Sequence, residues 1–485
     1  MIAALLLAPW GLLGCAGSVL VEERSGATTG ASVASASASS GAGGAGGSTA
    51  AGGAGASSVC APDRGHVVGG PGAQIARSIA VDPTGAIVVS VQSSSAVTLD
   101  GAPLADASGG GFVITRMEAS GAVSWARAFG GTYFHDQLLP IAIDGDGSVV
   151  VTGGYQGSFD LGAGLTATAV DSALFVARIS ATGEPLWLRS FPSAYTGSSP
   201  TALALDAAGD VIIAGGLGGG TLDLGGETLS GEFFVAKLDP SGAPLWQHAY
   251  TGAMLESHTM AVTAEGSVVL AGSLEAEIDF GGGPLTSAGG YDLFVAKLDP
   301  EGHHVWSERF GTADLQRLHA LAVAPSGRVL IGGTYFGSVD LGGGPLSAGG
   351  SYGSFVAALD ASGKHLWSRT MGGDVFGVTS LAALPSGEIL AAGMVGAAPT
   401  LGCGPLGDTS PDATYLATLD ASGACLSQRT FGVGPDQYIE DLEAGASGHA
   451  AAVGFFQGTI DLVGGPLTAD GNDGFVLALA PPCEP

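Results

Sequence analysis

Short apolar stretches separated by polar turns run along residues 66–485, and no segment has a helical period of useful length. Leu203–Gly209 reads as a strand and a turn, and Phe234–Gly242 reads as another strand with a turn of the Asp-Pro-x-Gly type. Such turns are typical of β-hairpins, because Pro presets one turn dihedral and Gly accepts a positive φ. The pattern predicts an all-β chain.

The same order of signals recurs: two strands, an Asp- and Gly-rich stretch, a third strand and a fourth strand. The apolar residue that ends the fourth strand recurs at spacings of 62, 59, 60, 61 and 60, at Phe129, Phe191, Tyr250, Phe310, Met371 and Phe431. Counting back from Phe129 reaches Val68, which gives seven units, the last without its own fourth strand. Four antiparallel strands per unit predict a seven-bladed β-propeller. His66–Gly70 is the expected missing strand, closing the ring beside Leu477–Ala480.

These units resemble a bacterial β-propeller repeat family, whose repeats combine an AVD-x-x-G hairpin, an FVAKLD-x-x-G strand and a terminal W-x-x-x-F-G-G. Phe234–Gly242, Phe294–Gly302 and Phe355–Gly363 carry the second of these elements. The resemblance covers residues 66–485 and implies a propeller without implying an activity. Leu359–Trp367 also resembles the repeat of quinone-dependent propeller dehydrogenases, but the chain lacks their adjacent Cys pair, and we expect no cofactor.

The first 15 residues read as a lipoprotein signal peptide. Ile2–Leu13 is an apolar run too short to span a bilayer, and it leads into Leu12-Leu13-Gly14-Cys15, which resembles a lipobox. We therefore expect Cys15 to carry lipid; the alternative is cleavage elsewhere, which would discard Cys15. Ala16 stands where inner-membrane lipoproteins commonly have Asp, so the resemblance implies the outer membrane of a Gram-negative bacterium.

Residues 16–59 read as a flexible linker and residues 60–485 as the propeller. Ser25–Ser58 contains only Ser, Gly, Ala, Thr and one Val, which offers too little apolar surface to offset the entropy of ordering. This composition indicates a flexible spacer, so we expect the folded domain to be tethered to the membrane only through the lipid on Cys15.

The charge of the chain excludes a basic binding face. Acidic residues number 44 against 15 basic ones, for a formal net charge of −29. A protein this acidic repels phosphate. We expect no nucleic-acid partner, and a monomer whose partner is a protein or glycan of the cell envelope.

A Trp occupies the same position of five units. Periodic aromatic residues most often pack between neighbouring blades, with an exposed carbohydrate-stacking platform as the alternative. The position holds Ser427 in the sixth unit and Arg64 in the segment before Val68. The five residues are Trp125, Trp187, Trp246, Trp306 and Trp367.

Candidate chemistry is sparse. Asp144, Asp146 and Ser148 resemble the start of a calcium loop, but no Glu closes it at the required distance, and an Asp before Gly also caps turns. This is the weak metal candidate of the chain, and no residues are assigned as catalytic.

Four Cys follow Cys15 and permit three pairings. We predict Cys60–Cys483, because the two flank the strands that would close the ring, and Cys403–Cys425, which would lie within one blade. The second pair is less secure, because its members could lie at opposite ends of a blade.

The sequence favours a noncatalytic, surface-tethered lipoprotein that serves as a binding or scaffold module of the cell envelope. The alternative is a propeller hydrolase or lyase acting on envelope or extracellular polysaccharide. Acidic and aromatic side chains converging at the channel mouth would favour the enzyme, and a face lined by Gly and Ala would favour the binder.

Overall fold

The computed structural model describes residues 63–93, 95–107, 111–131, 139–193, 199–251, 255–371, 377–395, 402–404, 413–431, 437–463, 465–469 and 471–481. The described residues all belong to one compact unit, residues 58–485. The described residues form strands and turns without a helix, which confirms the all-β prediction. Within these ranges no helix has the length and apolar character needed to cross a membrane.

One strand, β1 (Arg64–Gly69), precedes the repeats. Repeat 1 contains β2 (Gln74–Val81), β3 (Ile87–Ser93), β4 (Ala96–Leu99), β5 (Ala102–Asp106), β6 (Gly111–Met117) and β7 (Val123–Gly131). Repeat 2 contains β8 (Ile141–Ile143), β9 (Val149–Gly162), β10 (Leu165–Ile179) and β11 (Pro185–Ser193). Repeat 3 contains β12 (Ser199–Leu205), β13 (Val211–Gly216), β14 (Thr221–Leu222), β15 (Leu229–Ser230), β16 (Phe233–Leu238) and β17 (Pro244–Tyr250).

Repeat 4 contains β18 (Leu255–Val262), β19 (Val268–Leu274), β20 (Glu277–Asp279), β21 (Pro284–Thr286), β22 (Asp292–Leu298) and β23 (His304–Phe310). Repeat 5 contains β24 (Gln316–Val323), β25 (Val329–Asp340), β26 (Pro345–Leu359) and β27 (His365–Met371). Repeat 6 contains β28 (Val378–Ala383), β29 (Ile389–Val395), β30 (Ala413–Leu419) and β31 (Cys425–Phe431). Repeat 7 contains β32 (Gln437–Ala444), β33 (Ala450–Phe456), β34 (Thr459–Asp461), β35 (Pro466–Thr468) and β36 (Asp473–Leu479).

Repeats 3 to 6 each form a four-stranded antiparallel sheet in chain order, for example β24-β25-β26-β27. In repeats 3 and 4 a separate inserted hairpin lies between the second and third strands, β14–β15 and β20–β21 respectively. Four such sheets arranged as repeated units, together with the larger sheets formed by the remaining repeats, give a β-propeller fold.

The prediction of seven separate four-stranded sheets is not met, because inserted hairpins also pair with the fourth strand of the preceding repeat. Gly130 of β7 pairs with Asp160 of β9, which joins repeats 1 and 2 in a ten-stranded sheet. In the same way β4 pairs with β1, which gives a six-stranded sheet in the order β32-β33-β36-β1-β4-β5. In that sheet β1 is antiparallel to β36, with Arg64 opposite Ala478. These hairpins cover strand edges that would otherwise be free to pair with other chains.

The apolar core lies between neighbouring sheets. In one cluster Val235 of repeat 3 and Phe294 of repeat 4 are fully buried together with Ile278 of the inserted hairpin. The ring centres of Tyr250 and Phe280 lie 4.8 Å apart across the same junction. The inserted hairpin therefore fills the space between the outer parts of two sheets.

The turns follow the chemistry that the sequence predicts. Asp239 Oδ1 accepts hydrogen bonds from Ser241 N (2.8 Å), Ser241 Oγ (2.7 Å) and Ala243 N (3.0 Å). Gly242 closes this turn with a φ of +82°, which a residue with a Cβ rarely adopts. The recurring Asp of this turn therefore caps it.

Candidate functional site

The first strands of the repeats contact one another, and most contain a β-bulge at the same place. The register shifts between Ala76 and Ser78, Pro200 and Ala202, Leu318 and Ala320, Val378 and Ser380, and Ile439 and Asp441. A bulge leaves one residue unpaired and re-aims its side chain. The bulged residues, which we call the bulge group, are Arg77, Thr201, His319, Thr379 and Glu440.

Two members of the bulge group form an ion pair between repeats 1 and 7. Arg77 Nη1 lies 3.0 Å from Glu440 Oε1, and the side chains retain only 10% and 22% of their exposure. Arg77 also donates to Gln92 Oε1 on its own second strand, at 3.2 Å. Burial lowers the pKa of Arg77 and raises the pKa of Glu440, against the attraction between the two charges. Each charge of this ion pair is therefore compensated by the other.

The strand that carries Glu440 has two further carboxyl groups directed at β2. Asp441 Oδ2 accepts hydrogen bonds from Ser78 Oγ and from Ile79 N, both at 3.0 Å. Glu443 accepts a hydrogen bond from the backbone N–H of Val81. Burial raises the pKa of Asp441, and burial with the nearby charge of Asp441 raises the pKa of Glu443 well above its usual range.

These carboxyl groups were missed in the sequence analysis, although a signal was present. Six repeats have Ala at the position of Glu443, two residues before the first turn: Ala80, Ala142, Ala204, Ala261, Ala322 and Ala382. A single charged residue at a position otherwise held by Ala marks repeat 7 as different. Both carboxyl groups bind backbone N–H groups of β2, so their first role is to join repeat 7 to repeat 1.

The other members of the bulge group are neutral. His319 Nε2 lies 3.1 Å from Thr334 Oγ1. The surrounding protein and the positive charge of Arg317 lower the pKa of His319 to about 4, although its side chain remains accessible. Thr379 Oγ1 donates to the carbonyl oxygen of Ile439, at 3.3 Å, which links repeats 6 and 7.

The bulge group thus offers hydroxyl, imidazole and peptide groups beside one compensated ion pair. Such groups donate and accept hydrogen bonds at neutral pH without carrying net charge. The described ranges contain no group of three or more His, Cys, Asp or Glu side chains able to hold a metal ion. The chemistry available here suits recognition of uncharged polar groups.

The five Trp residues join consecutive repeats. Each indole Nε1 donates to a carbonyl in the last turn of the following repeat, as Trp246 does to Pro300 at 2.9 Å. A Cβ on Gly302 of that turn would lie 2.8 Å from the same indole, so the turn packs directly on the ring. The remaining pairs are Trp125–Ala181, Trp187–Pro240, Trp306–Ala361 and Trp367–Ala421, at 2.9–3.0 Å.

The candidate calcium residues form a turn. Asp144 Oδ1 accepts from the backbone N–H groups of Asp146 and Ser148, at 3.1 and 3.0 Å. The other carboxylate oxygen of Asp144 forms an ion pair with Arg178 of β10. Repeat 3 has the same arrangement, with Asp206 Oδ2 2.7 Å from Lys237 Nζ. The first turn of these repeats is therefore held by an acid–base pair.

Cys403 and Cys425 form a disulfide in the structure, with their Cα atoms 5.3 Å apart. The bond attaches the inserted Gly-rich segment of repeat 6 to the start of β31. Repeat 5 has Gly343 and His365 at the equivalent positions, where a Cβ on the glycine would lie 2.1 Å from the imidazole. The disulfide and the imidazole contact thus tie the same two segments together. Cys15, Cys60 and Cys483 lie outside the described residues.

Comparisons with known proteins give the chain no family. No family model matches it, and no curated protein matches it significantly. Many solved structures are similar, and three of them are described. A catalytically inactive virginiamycin B lyase from Staphylococcus aureus with quinupristin is 8% identical, with 86% of this chain and 99% of that chain covered and a TM-score of 0.39. The WD40 β-propeller domain of Doa1 is 12% identical, with 85% and 96% covered and a TM-score of 0.40.

The third similar structure is a protein of unknown function from Bacteroides caccae. It is 12% identical, with 76% of this chain and 94% of that chain covered and a TM-score of 0.35. Identities and TM-scores this low carry no argument about function.

Proposed function

We propose that this protein is a noncatalytic binding module of the cell envelope, with the bulge group as its binding surface. The proposal rests on the fact that the charged groups in and beside the bulge group are bound by other groups of the protein. Glu440 is paired with Arg77, and Asp441 and Glu443 bind backbone N–H groups. Groups engaged in this way are poorly placed for proton transfer, which needs a free acid or base. Hydroxyl and imidazole groups remain to bind a neutral polar partner.

We propose a closed ring of seven blades as the scaffold of this surface. Three observations support closure: β1 is antiparallel to β36, β32 contacts β2, and one core cluster is shared by repeats 7 and 1. Pairing between inserted hairpins and neighbouring repeats accounts for sheets of more than four strands. Closure leaves both chain ends at one blade, where we propose the Cys60–Cys483 disulfide. Nonreducing peptide mapping tests it, and a free thiol at either position refutes that bond.

We propose that the module is exported and held at the outer membrane through lipid on Cys15, with residues 16–59 as a spacer. The lipobox-like Leu12-Leu13-Gly14-Cys15, followed by Ala16 in place of Asp, supports this assignment. The net charge of −29 argues against nucleic acid and for a protein or glycan partner of the envelope. No metal or cofactor is part of the proposal, and we expect a monomer.

The binding surface can be tested with two sets of substitutions in the full chain. In the first, Thr201, His319 and Thr379 are changed to Ala. In the second, which serves as the control, the exposed Leu186 and Leu366 of the fourth strands are changed to Ala. Binding to an immobilised panel of neutral envelope glycans and to intact envelope is measured for both. Loss of binding in the first set alone is expected, and loss in the control set alone contradicts the assignment.

One observation favours the second candidate, a polysaccharide lyase or hydrolase. His319 is an accessible imidazole, the side chain used most often for proton transfer, although a pKa of about 4 makes it a weak base at pH 7. Incubation of the full chain with envelope polysaccharide, followed by measurement of chain length, tests this function. Cleavage that disappears in His319→Ala would establish it in place of the noncatalytic function.

A further inference from the structure

The junction between repeats 6 and 7 lacks the indole that fills the five preceding junctions between repeats. Ser427 stands at the position of Trp367 and its four equivalents. A pocket of about 280 Å³ lies at this junction, lined by Ser427, Gln428, Arg429 and residues of repeat 7. The pocket is thus found where the repeating side chain is absent.

The pocket reaches into the core. Leu390 and Leu416 line it and are 6% and 4% exposed. Their counterparts in repeat 5, Leu330 and Val356, are fully buried. The counterparts of Leu416 in the other repeats with their own third and fourth strands are also 0% exposed: Ile114, Val176, Val235 and Val295. The two leucines remain buried, but they are slightly more exposed than their counterparts, and both line the pocket.

An ion pair forms the polar side of the pocket. Arg429 Nη1 lies 3.0 Å from Asp63 Oδ2, and the other oxygen of Asp63 accepts the N–H of Ala480, at 2.9 Å. In repeats 2 and 5 the equivalent arginines, Arg189 and Arg369, lie over the neighbouring indole, 6.0 and 5.8 Å from its ring centre. In repeat 6 Arg429 instead lies near the ring of Phe431, 5.2 Å from its centre, so Phe431 and Asp63 hold the guanidinium at the edge of the pocket.

We propose that this pocket binds a small planar aromatic ligand of the indole class, supplied by another molecule. An apolar cavity of about 150 Å³ is enough to hold benzene, so this larger pocket has room for a fused bicyclic ring. The ring would lie against Leu390 and Leu416, beside Ser427, which stands where five other repeats have Trp. The half-buried Glu388 at the pocket disfavours a ligand that carries a carboxylate, since the charge of Asp63 is already paired with Arg429. The site is therefore selective for neutral or cationic indoles, and it is independent of the bulge group.

The experiment measures binding of 5-fluoroindole to the full-length chain by ¹⁹F NMR titration, with fluorinated tryptamine and indole-3-acetate as comparison ligands. We expect saturable binding of 5-fluoroindole and tryptamine, and binding of the acetate at least tenfold weaker. Ser427→Trp supplies the ring from within and should weaken 5-fluoroindole binding at least tenfold. Leu416→Phe fills the floor of the pocket instead, and it should have the same effect if the first variant folds poorly.

Leu426→Trp is the matched control, since it adds the same indole at the adjacent, half-exposed position, on the opposite face of β31. Its 5-fluoroindole affinity should equal that of the wild type. Absence of saturable binding to the wild type overturns the proposal, as does equal affinity in Ser427→Trp. If a variant that ends at Pro481 binds 5-fluoroindole and the full chain does not, the pocket belongs to the chain's own last residues. That result would also overturn the proposal.

Discussion

Replacing Glu443 by Gln should stabilise the protein at neutral pH and remove part of its pH dependence. Glu443 is partly buried between β32 and β2, and it accepts the N–H of Val81. Burial and the charge of Asp441 raise its pKa well above the usual range. Gln keeps the acceptor oxygen and cannot ionise, so the substitution isolates the cost of the charge.

The sign follows from proton linkage. Because the folded state holds the Glu443 proton more tightly than the unfolded chain, wild-type stability falls as pH rises from the unfolded pKa, about 4.3, toward the raised folded pKa. One proton of difference corresponds to a slope of about 1.4 kcal/mol per pH unit. The stability of Glu443→Gln relative to wild type should therefore be constant below this interval, rise by that slope within it, and level off above it.

Urea unfolding followed by Trp fluorescence at a series of pH values from 4 to 8 measures this difference. Glu301→Gln, at an exposed turn position, is the control and should give a difference curve without this slope. Carboxyl groups that do not interact with Glu443 titrate alike in both proteins and cancel in the comparison. A flat difference curve for Glu443→Gln across this range would refute the conclusion that the junction raises the pKa of Glu443.

Three further outcomes are expected. Trp246→Phe removes the hydrogen bond to Pro300 and leaves that carbonyl without its partner, so the free energy of unfolding should fall by about 1–3 kcal/mol. The control Leu245→Ala, at an exposed position, should change the free energy of unfolding by less than about 0.5 kcal/mol. Cys403→Ser opens a disulfide whose Cys residues are 22 positions apart and should cost about 3 kcal/mol in urea unfolding under nonreducing conditions; an unchanged midpoint contradicts this. Cys15→Ser should abolish labelling by a palmitate analogue, and retained label refutes lipidation at Cys15.

Local sequence signals predict much of the fold. The alternation of short apolar runs with Asp-x-x-Gly turns predicts the strands, and the period near 60 residues predicts their grouping. The turn around Asp239 has the predicted capping bonds, because the Asp, the hydroxyl donor and the Gly lie within five residues. Such signals act over short distances along the chain, so they are readable in any one repeat.

The pairing between repeats is decided only by the tertiary structure. Nothing in the sequence of β4 or β9 indicates that these strands pair with the fourth strand of the preceding repeat. The consequence is a set of sheets that differs from the predicted one. The acids of β32 likewise acquire their role from residues far along the chain, since Asp441 and Ile79 are 362 positions apart.

The structural effect of a residue that departs from the repeat pattern can be seen only in the folded protein. The sequence identifies Ser427 as a missing Trp, but the pocket depends on which side chains surround it, and these come from two repeats and from Asp63. The bulge group could not be recognised in the sequence for a similar reason. A bulge shifts the register of strand pairing, but its residues have no distinctive composition. The sequence determined the repeating unit through local turn and strand chemistry. The folded structure decided what lies between the units, since contacts between distant residues depend on how the units pack.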